Sequence, residues 1–209
     1  MFKLVPPPLR PAVFDLLTRP MERELGELRR RVLSGVVGAT LEIGAGTGAN
    51  LPHYGTGLTS LVLVEPDRDL GRRLRRRAAA TRPAAAVVQA AAEALPFPDQ
   101  SFDTVVVTAV LCTVRDPAAA LAEIRRVLRP GGRLLFAEHV RSEDPRLARW
   151  QDRLRAPWKI LANGCHPNRD TLASIRNAGL DVEWVEHGEL PRAPAIVRPL
   201  VIGAARKTE

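Results

Sequence analysis

From residue 39 onward, short apolar and β-branched runs alternate with stretches whose apolar residues recur at helical spacing. Strands are predicted at Ala39–Ile43, Leu61–Glu65, Ala86–Gln89, Asp103–Thr108 and Arg133–Glu138, and helices over Gly48–Tyr54, Arg68–Ala80 and Pro117–Leu128. The run TVVVTAV at 104–110 is apolar without alternation, as in a strand covered on both faces of a parallel sheet. Arg129-Pro130-Gly131-Gly132 ends one helix and turns into the next strand. Ahead of the sheet, residues 10–34 read as one or two helices of mixed charge. Behind the fifth strand come a helix at Pro145–Leu161, a turn at Asn163–Pro167 and a helix at Arg169–Ala178 stopped by Gly179. Two last strands, Asp181–Glu186 and Ile196–Ala204, flank an ordered loop that carries three prolines. The fold class this predicts is α/β, a three-layer Rossmann-like open sheet, mostly parallel with an antiparallel C-terminal strand.

Composition narrows the picture. The 209 residues are 45% apolar and fit a single domain. No apolar run approaches the roughly 18–20 residues that span a bilayer. The N-terminus fails as a signal peptide because Pro6, Pro7 and Pro8 interrupt its short apolar stretch, so a cytoplasmic location is expected. Cys112 and Cys165, the only cysteines, are expected to be reduced. No metal site is expected, since only Cys165-His166 approaches ligand spacing and adjacent residues rarely pair on one ion. The net charge of +8 comes almost wholly from arginine, with its densest cluster at Arg72–Arg77. With aromatics at 4% there is nothing to stack bases on, which makes nucleic acid an improbable partner. The cluster reads as a solvated helix face, and a peripheral contact with an anionic membrane stays open.

The chemistry concentrates in LEIGAGTGAN, residues 41–50. Gly44, Gly46 and Gly48 let the chain turn sharply from strand to helix and let a ligand approach the backbone. A glycine turn alone would serve several nucleotides. Glu65 sharpens it: an acid at the end of the next strand, 21 residues past Gly44, can accept both ribose hydroxyls of an adenosine. Glu42, just before the glycines, suits a ligand with an ammonium and a sulfonium better than a pyrophosphate. A second signal is AAEALPFPDQSFDTVVV at 91–107, where Leu95-Pro96-Phe97-Pro98 makes a rigid turn before the fourth strand.

Together with Glu65 and LRPGGRLLFAEHV at 128–140, these motifs resemble the class I S-adenosylmethionine-dependent methyltransferases of the quinone C-methyltransferase type. The resemblance implies that Glu42, Gly44, Ala45 and Gly46 face the methionine part of the cofactor. Glu65 and Pro66 would lie at the ribose, Ala92 and Glu93 beside adenine, and Thr108 beside the sulfonium. Many relatives carry Asp where this chain has Ala91, so an adenine contact from that side chain is missing. A narrower resemblance runs the whole length. TAVLCTVRD, FAEHV, APWKILANGC, NRDTLASIRNAG and IVRPLVIGAARK are similar to animal membrane-associated methyltransferase-like proteins that methylate alkyl thiols and hydrogen sulfide. Those proteins have an N-terminal apolar anchor for which this sequence shows no counterpart. On this reading residues 35–140 form the cofactor-binding core, 1–34 a helical cap, and 141–209 the substrate-side helices and last two strands.

The acceptor implied is a small apolar thiol. Alternatives are a quinone-type carbon or oxygen acceptor, and an RNA-binding protein with a vestigial cofactor site. Methyl transfer needs nucleophile and methyl held about 3–3.5 Å apart in a dry pocket, and a histidine base would help near neutral pH. His139, after the fifth strand, is the first candidate for a base and for the substrate wall; His166 is the second. Leu111, Cys112 and Trp158 are the other substrate-side candidates, with Cys112 read as a small buried residue shaping the pocket rather than a nucleophile. His53 and His187 read as peripheral, and Trp184 as core.

Overall fold

The computed structural model describes residue 12 and residues 22–82, 84–162 and 164–208. Most of the helical cap expected at 1–34 lies outside these residues, as does Asn163 in the predicted turn. The chain enters through α1 (Glu22–Leu33), whose apolar side packs across the sheet. There follow β1 (Gly38–Ile43), a short 3-10 turn (Leu51–His53), β2 (Leu58–Val64), α2 (Arg68–Thr81), β3 (Ala86–Val88), β4 (Phe102–Thr108), α3 (Pro117–Val127) and β5 (Leu128–His139). The last third holds α4 (Pro145–Leu161), α5 (Thr171–Asn177), β6 (Leu180–Glu189), a second 3-10 turn (Ala195–Val197) and β7 (Pro199–Lys207).

Seven strands make one sheet in the order β3-β2-β1-β4-β5-β7-β6. β1 to β5 pair in parallel, and β7 inserts antiparallel between β5 and β6. The alternation of a strand explains the layers. Val105 and Val107 of β4, with Leu134 and Phe136 of β5, face a core closed by Leu121 and Ile124 of α3 and Ile175 of α5. Val106, Leu135 and Ala137 face the opposite core, closed by Val32 and Leu33 of α1 and Leu74 and Ala78 of α2. Both faces are covered, which is why these strands read as unbroken apolar runs. Four helices begin at aspartates: Asp67, Asp116, Asp144 and Asp170 each accept one or two backbone N–H groups of the first turn.

The helix predicted at Gly48–Tyr54 is only the 3-10 turn at Leu51–His53. Gly46 and Gly48 hold φ of 56° and 86°, which no α-helix accommodates, so the helix cannot start until the loop has been spent. β7 begins at Pro199 rather than Ile196, because residues 195–197 form the second 3-10 turn. Trp184, expected in the core, is 38% exposed on the edge strand β6. The arginines of the Arg72–Arg77 cluster lie mainly on the outer face of α2, where Arg72 pairs with Asp69 and Arg77 donates to the Thr47 carbonyl. Among the described residues, no helix is long and apolar enough to cross a membrane.

Candidate active site

Parallel strands leave their carboxyl ends at one edge of the sheet, and ligands of open α/β folds bind there, where the strand order reverses. In this sheet the order reverses between β1 and β4, and a cleft of about 470 Å³ opens at that edge. All nine residues singled out for the cofactor, namely Glu42, Gly44, Ala45, Gly46, Glu65, Pro66, Ala92, Glu93 and Thr108, lie on its wall.

The glycine loop explains the shape of this wall. Gly44 has φ 66°, and a Cβ there would fall 2.6 Å from Cγ2 of Val110. Only glycine lets β1 turn under the β4 loop. The amide of Ala45 continues the sheet by donating to the Val64 carbonyl at 3.0 Å, and the Gly46 amide donates to Glu65 Oε2 at 2.9 Å. Glu65 Oε1 accepts from the Asp67 amide, also at 2.9 Å. The acid is thereby fixed in place. Each carboxylate oxygen can accept more than one bond, so both keep capacity toward the cleft. Burial raises the pKa of Glu65, and those two amides oppose the rise.

Glu42 is 2% exposed. It accepts from Tyr54 Oη at 2.6 Å and from Asn50 Nδ2 at 3.0 Å. Its pKa is pushed up to about 7 by burial, against the pull of Tyr54, Asn50 and the charge of Arg29. Asn50 also donates to Thr108 Oγ1 at 3.1 Å, while its own Oδ1 is buried without a hydrogen-bond partner. Two acids, Glu42 and Glu65, on the wall of a ligand-sized cleft, with the unpartnered amide oxygen of Asn50 beside Glu42, fit a ligand that carries an ammonium and hydroxyls. These residues suit S-adenosylmethionine.

At the other end stands Glu138, 1% exposed. Its carboxylate accepts the amides of Val110, Leu111 and Cys112 at 2.7, 3.1 and 3.3 Å. Ala109, with φ 56°, turns the chain left-handed so that these three amides converge on one acid. Burial raises the Glu138 pKa and the amides counter it. Glu93 does similar work one loop away, accepting the Arg115 amide at 2.8 Å. Local pattern does not reveal this role of Glu138, nor the Tyr54–Glu42–Asn50 group; the one signal in the chain is an acid at the end of an apolar strand.

His139 lines the cleft as expected. The other acceptor-side candidates do not. Leu111 and Cys112 are 1% and 0% exposed and pack behind the wall, because the Glu138 carboxylate pulls their amides inward. Trp158 packs with Cys112 and Cys165, and His166 is held at the back by its backbone N–H, which donates to the Cys112 carbonyl at 2.8 Å. What the fold brings together instead is His139, Cys112 and Cys165. His139 Nε2 lies 3.0 Å from Cys165 Sγ. Cys165 is lowered in pKa by the Cys112 thiol that donates to it and by His139; Cys112 is raised by that same bond and by burial. Burial works against the charged form of His139, and its bond to Cys165 outweighs that.

A protein-family model of a methyltransferase domain matches residues 41–136, the stretch that builds the glycine loop and β1 to β5. The chain belongs to the S-adenosylmethionine-dependent methyltransferases. Within that family it is similar to thiol S-methyltransferase TMT1B of Homo sapiens, at 32% identity over 209 residues, covering 94% of this chain and 85% of the human protein. It is also 44% identical over 94 residues to the ubiquinone/menaquinone biosynthesis C-methyltransferase UbiE of Marinomonas, a match covering 43% of this chain and 38% of that protein. Among solved structures, a SAM-dependent methyltransferase of Thermotoga maritima superposes with a TM-score of 0.69 at 22% identity, covering 94% of this chain and 96% of that one. The last likeness concerns the fold alone.

Proposed function

We propose that the chain binds S-adenosylmethionine through the nine wall residues named above and methylates a small apolar thiol. The bound cofactor supplies an electrophilic methyl group on a sulfonium. Glu42 and Asn50 hold the methionine end, and Glu65, fixed by the Gly46 and Asp67 amides, holds the ribose. The observation that carries the acceptor class is the apolar share of the cleft lining: Leu25, Leu28, Ala162, Leu190 and Leu200 line it, and His139 is the imidazole among the lining residues. Such walls exclude water and orient an apolar acceptor, and a soft sulfur nucleophile needs little further activation. On this reading His139, whose Nε2 lies beside Cys165 Sγ, takes the proton of an entering thiol. The similarity to the human thiol S-methyltransferase over nearly the whole chain supports the same reading.

A quinone-type acceptor is the second reading, favoured by the similarity to UbiE across the cofactor core. Incubating the pure protein with labelled S-adenosylmethionine and a panel of alkyl thiols, quinols and phenols separates the two. Methylated thiol is expected. Product from quinols alone would replace the first reading by the second.

The buried, unbridged cysteines support a reducing, cytoplasmic setting. The exposed Trp150, Leu154, Ile160 and Leu161 on α4, interleaved with Arg149, Arg153, Arg155 and Lys159, support a peripheral contact with an anionic membrane surface. Co-sedimentation with anionic but not neutral vesicles tests that contact.

A further inference from the structure

Buried thiols ordinarily pack as small apolar groups. Cys112 and Cys165 do otherwise. Their sulfurs turn toward each other and toward His139, although apolar side chains of Leu147, Leu190, Ala193, Ile196 and Val197 surround them. We propose that Cys112, His139 and Cys165 form a binding site for one thiophilic divalent cation of the zinc class.

The three ligand atoms lie within 4.8 Å of one another. Zinc bonds of about 2.3 Å to sulfur and about 2.0–2.1 Å to imidazole nitrogen put tetrahedral ligand atoms roughly 3.5–3.8 Å apart. The cluster therefore closes around an ion by a shift of roughly an ångström or less. Each ligand comes from a different connection, and each connection is already tied down. Cys112 donates its amide to Glu138 and accepts the His166 amide. His139 ends β5, in register with Leu200 of β7. Cys165 donates its amide to the Ala162 carbonyl at 3.1 Å. A ligand set held this way before binding loses little order on closing.

The donor set also selects the ion. Two sulfurs and one imidazole suit zinc and its thiophilic neighbours and reject magnesium or calcium, which take oxygen. Two thiolates neutralise a divalent cation, and the flanking charges of Arg169 and Glu138 oppose each other. Three protein ligands leave the fourth to come from the cleft, which His139 itself lines together with Thr113 and Ala162, neighbours of the cluster. Resting on the thiol reading above, that fourth ligand is the acceptor's sulfur, bound as thiolate; with the ion in place His139 is a ligand and no longer the base, and the thiol proton passes to solvent.

The test is metal binding, measured with neither cofactor nor acceptor present, so that it can fail separately from the thiol reading. Reduced full-length protein is stripped with a chelator and titrated with Co2+, a visible reporter for the same geometry, and then with Zn2+. Expected is one Co2+ per chain, with a thiolate-to-metal band in the near ultraviolet and the visible bands of a tetrahedral ion, displaced by Zn2+. Cys112→Ser, Cys165→Ser and His139→Ala should each weaken binding by at least about tenfold, with S-adenosylmethionine affinity as the check that they fold. Co2+ binding equal in the wild type and the Cys112→Ser/Cys165→Ser double variant overturns the site. So does a wild-type Co2+ spectrum without a thiolate band, a result that needs no variant. Finally, hexanethiol should perturb the Co2+ bands and hexanol should not. An unmoved spectrum overturns the fourth-ligand assignment.

Discussion

The two ends of the cleft are built in different ways. The end we propose for the cofactor comes from short contiguous segments: β1 with its glycine loop, the β2 end with Glu65 and Pro66, the turn at Ala92 and Glu93, and Thr108. Its acids are fixed mainly by residues at most 19 positions away, as Glu65 is by Gly46 and Glu42 by Asn50 and Tyr54. The end we propose for the acceptor is assembled around the β4 loop, the tip of β5 and the turn after α4. There His139 meets a cysteine 26 residues later, and Glu138 reaches back 26 to 28 residues to hold three amides. A local site can be written as a motif. A site made of distant turns is written only in the fold.

Four perturbations sharpen the contrast. The largest effect is expected from Gly44→Ala, which puts a side chain at φ 66° and drives it against Val110. Unfolding in denaturant should show a loss of roughly 2–4 kcal/mol, and adding Val110→Ala should recover the steric share. No recovery would mean that Val110 is not the obstacle.

Next is the pH response of Glu42. Its folded pKa of about 7 stands above the ordinary 4.5. Its contribution to stability is therefore fully present below about pH 4.5 and is lost as pH rises through about 7. The wild type should lose up to about 3 kcal/mol relative to Glu42→Gln between pH 4.5 and pH 8. Parallel thermal-melt profiles for the two proteins would show that Glu42 is ionised throughout.

Glu138→Gln comes third. An amide keeps one acceptor oxygen but sets an NH2 group against a backbone amide, a mismatch of about 1–3 kcal/mol. Stability should fall and acceptor KM rise, while S-adenosylmethionine affinity stays near that of the wild type. A variant that loses cofactor instead would show that the two ends are not separable.

The smallest effect on folding belongs to Glu65→Ala, which should nonetheless weaken S-adenosylmethionine binding by at least about tenfold. Calorimetry showing unchanged affinity would place the ribose elsewhere.

Much of the fold was legible along the chain because a strand buried on both faces has a distinct signature. TVVVTAV and RLLFAEH fall where β4 and β5 lie, and the helices predicted to start at Arg68, Pro117 and Pro145 start there. Errors came where tertiary geometry overrides the local pattern. Trp184 sits on the edge strand, where alternation cannot tell a covered face from an open one. The residues after Gly48 cannot take up a helix that their composition permits, since the loop's left-handed turns come first.

The sequence by itself determined the glycine turn, the acid after β2, the order of strands and helices, and with them the class of protein, because each depends on spacings of a few residues. Only the tertiary structure decided that Leu111, Cys112, Trp158 and His166 stand behind the cleft wall while His139 lines it. It also decided that Cys112, His139 and Cys165 meet. The physical reason is reach. Those contacts join residues 26, 27 and 53 positions apart, and they are set by the packing of β4, β5 and the turn after α4, which no local spacing encodes.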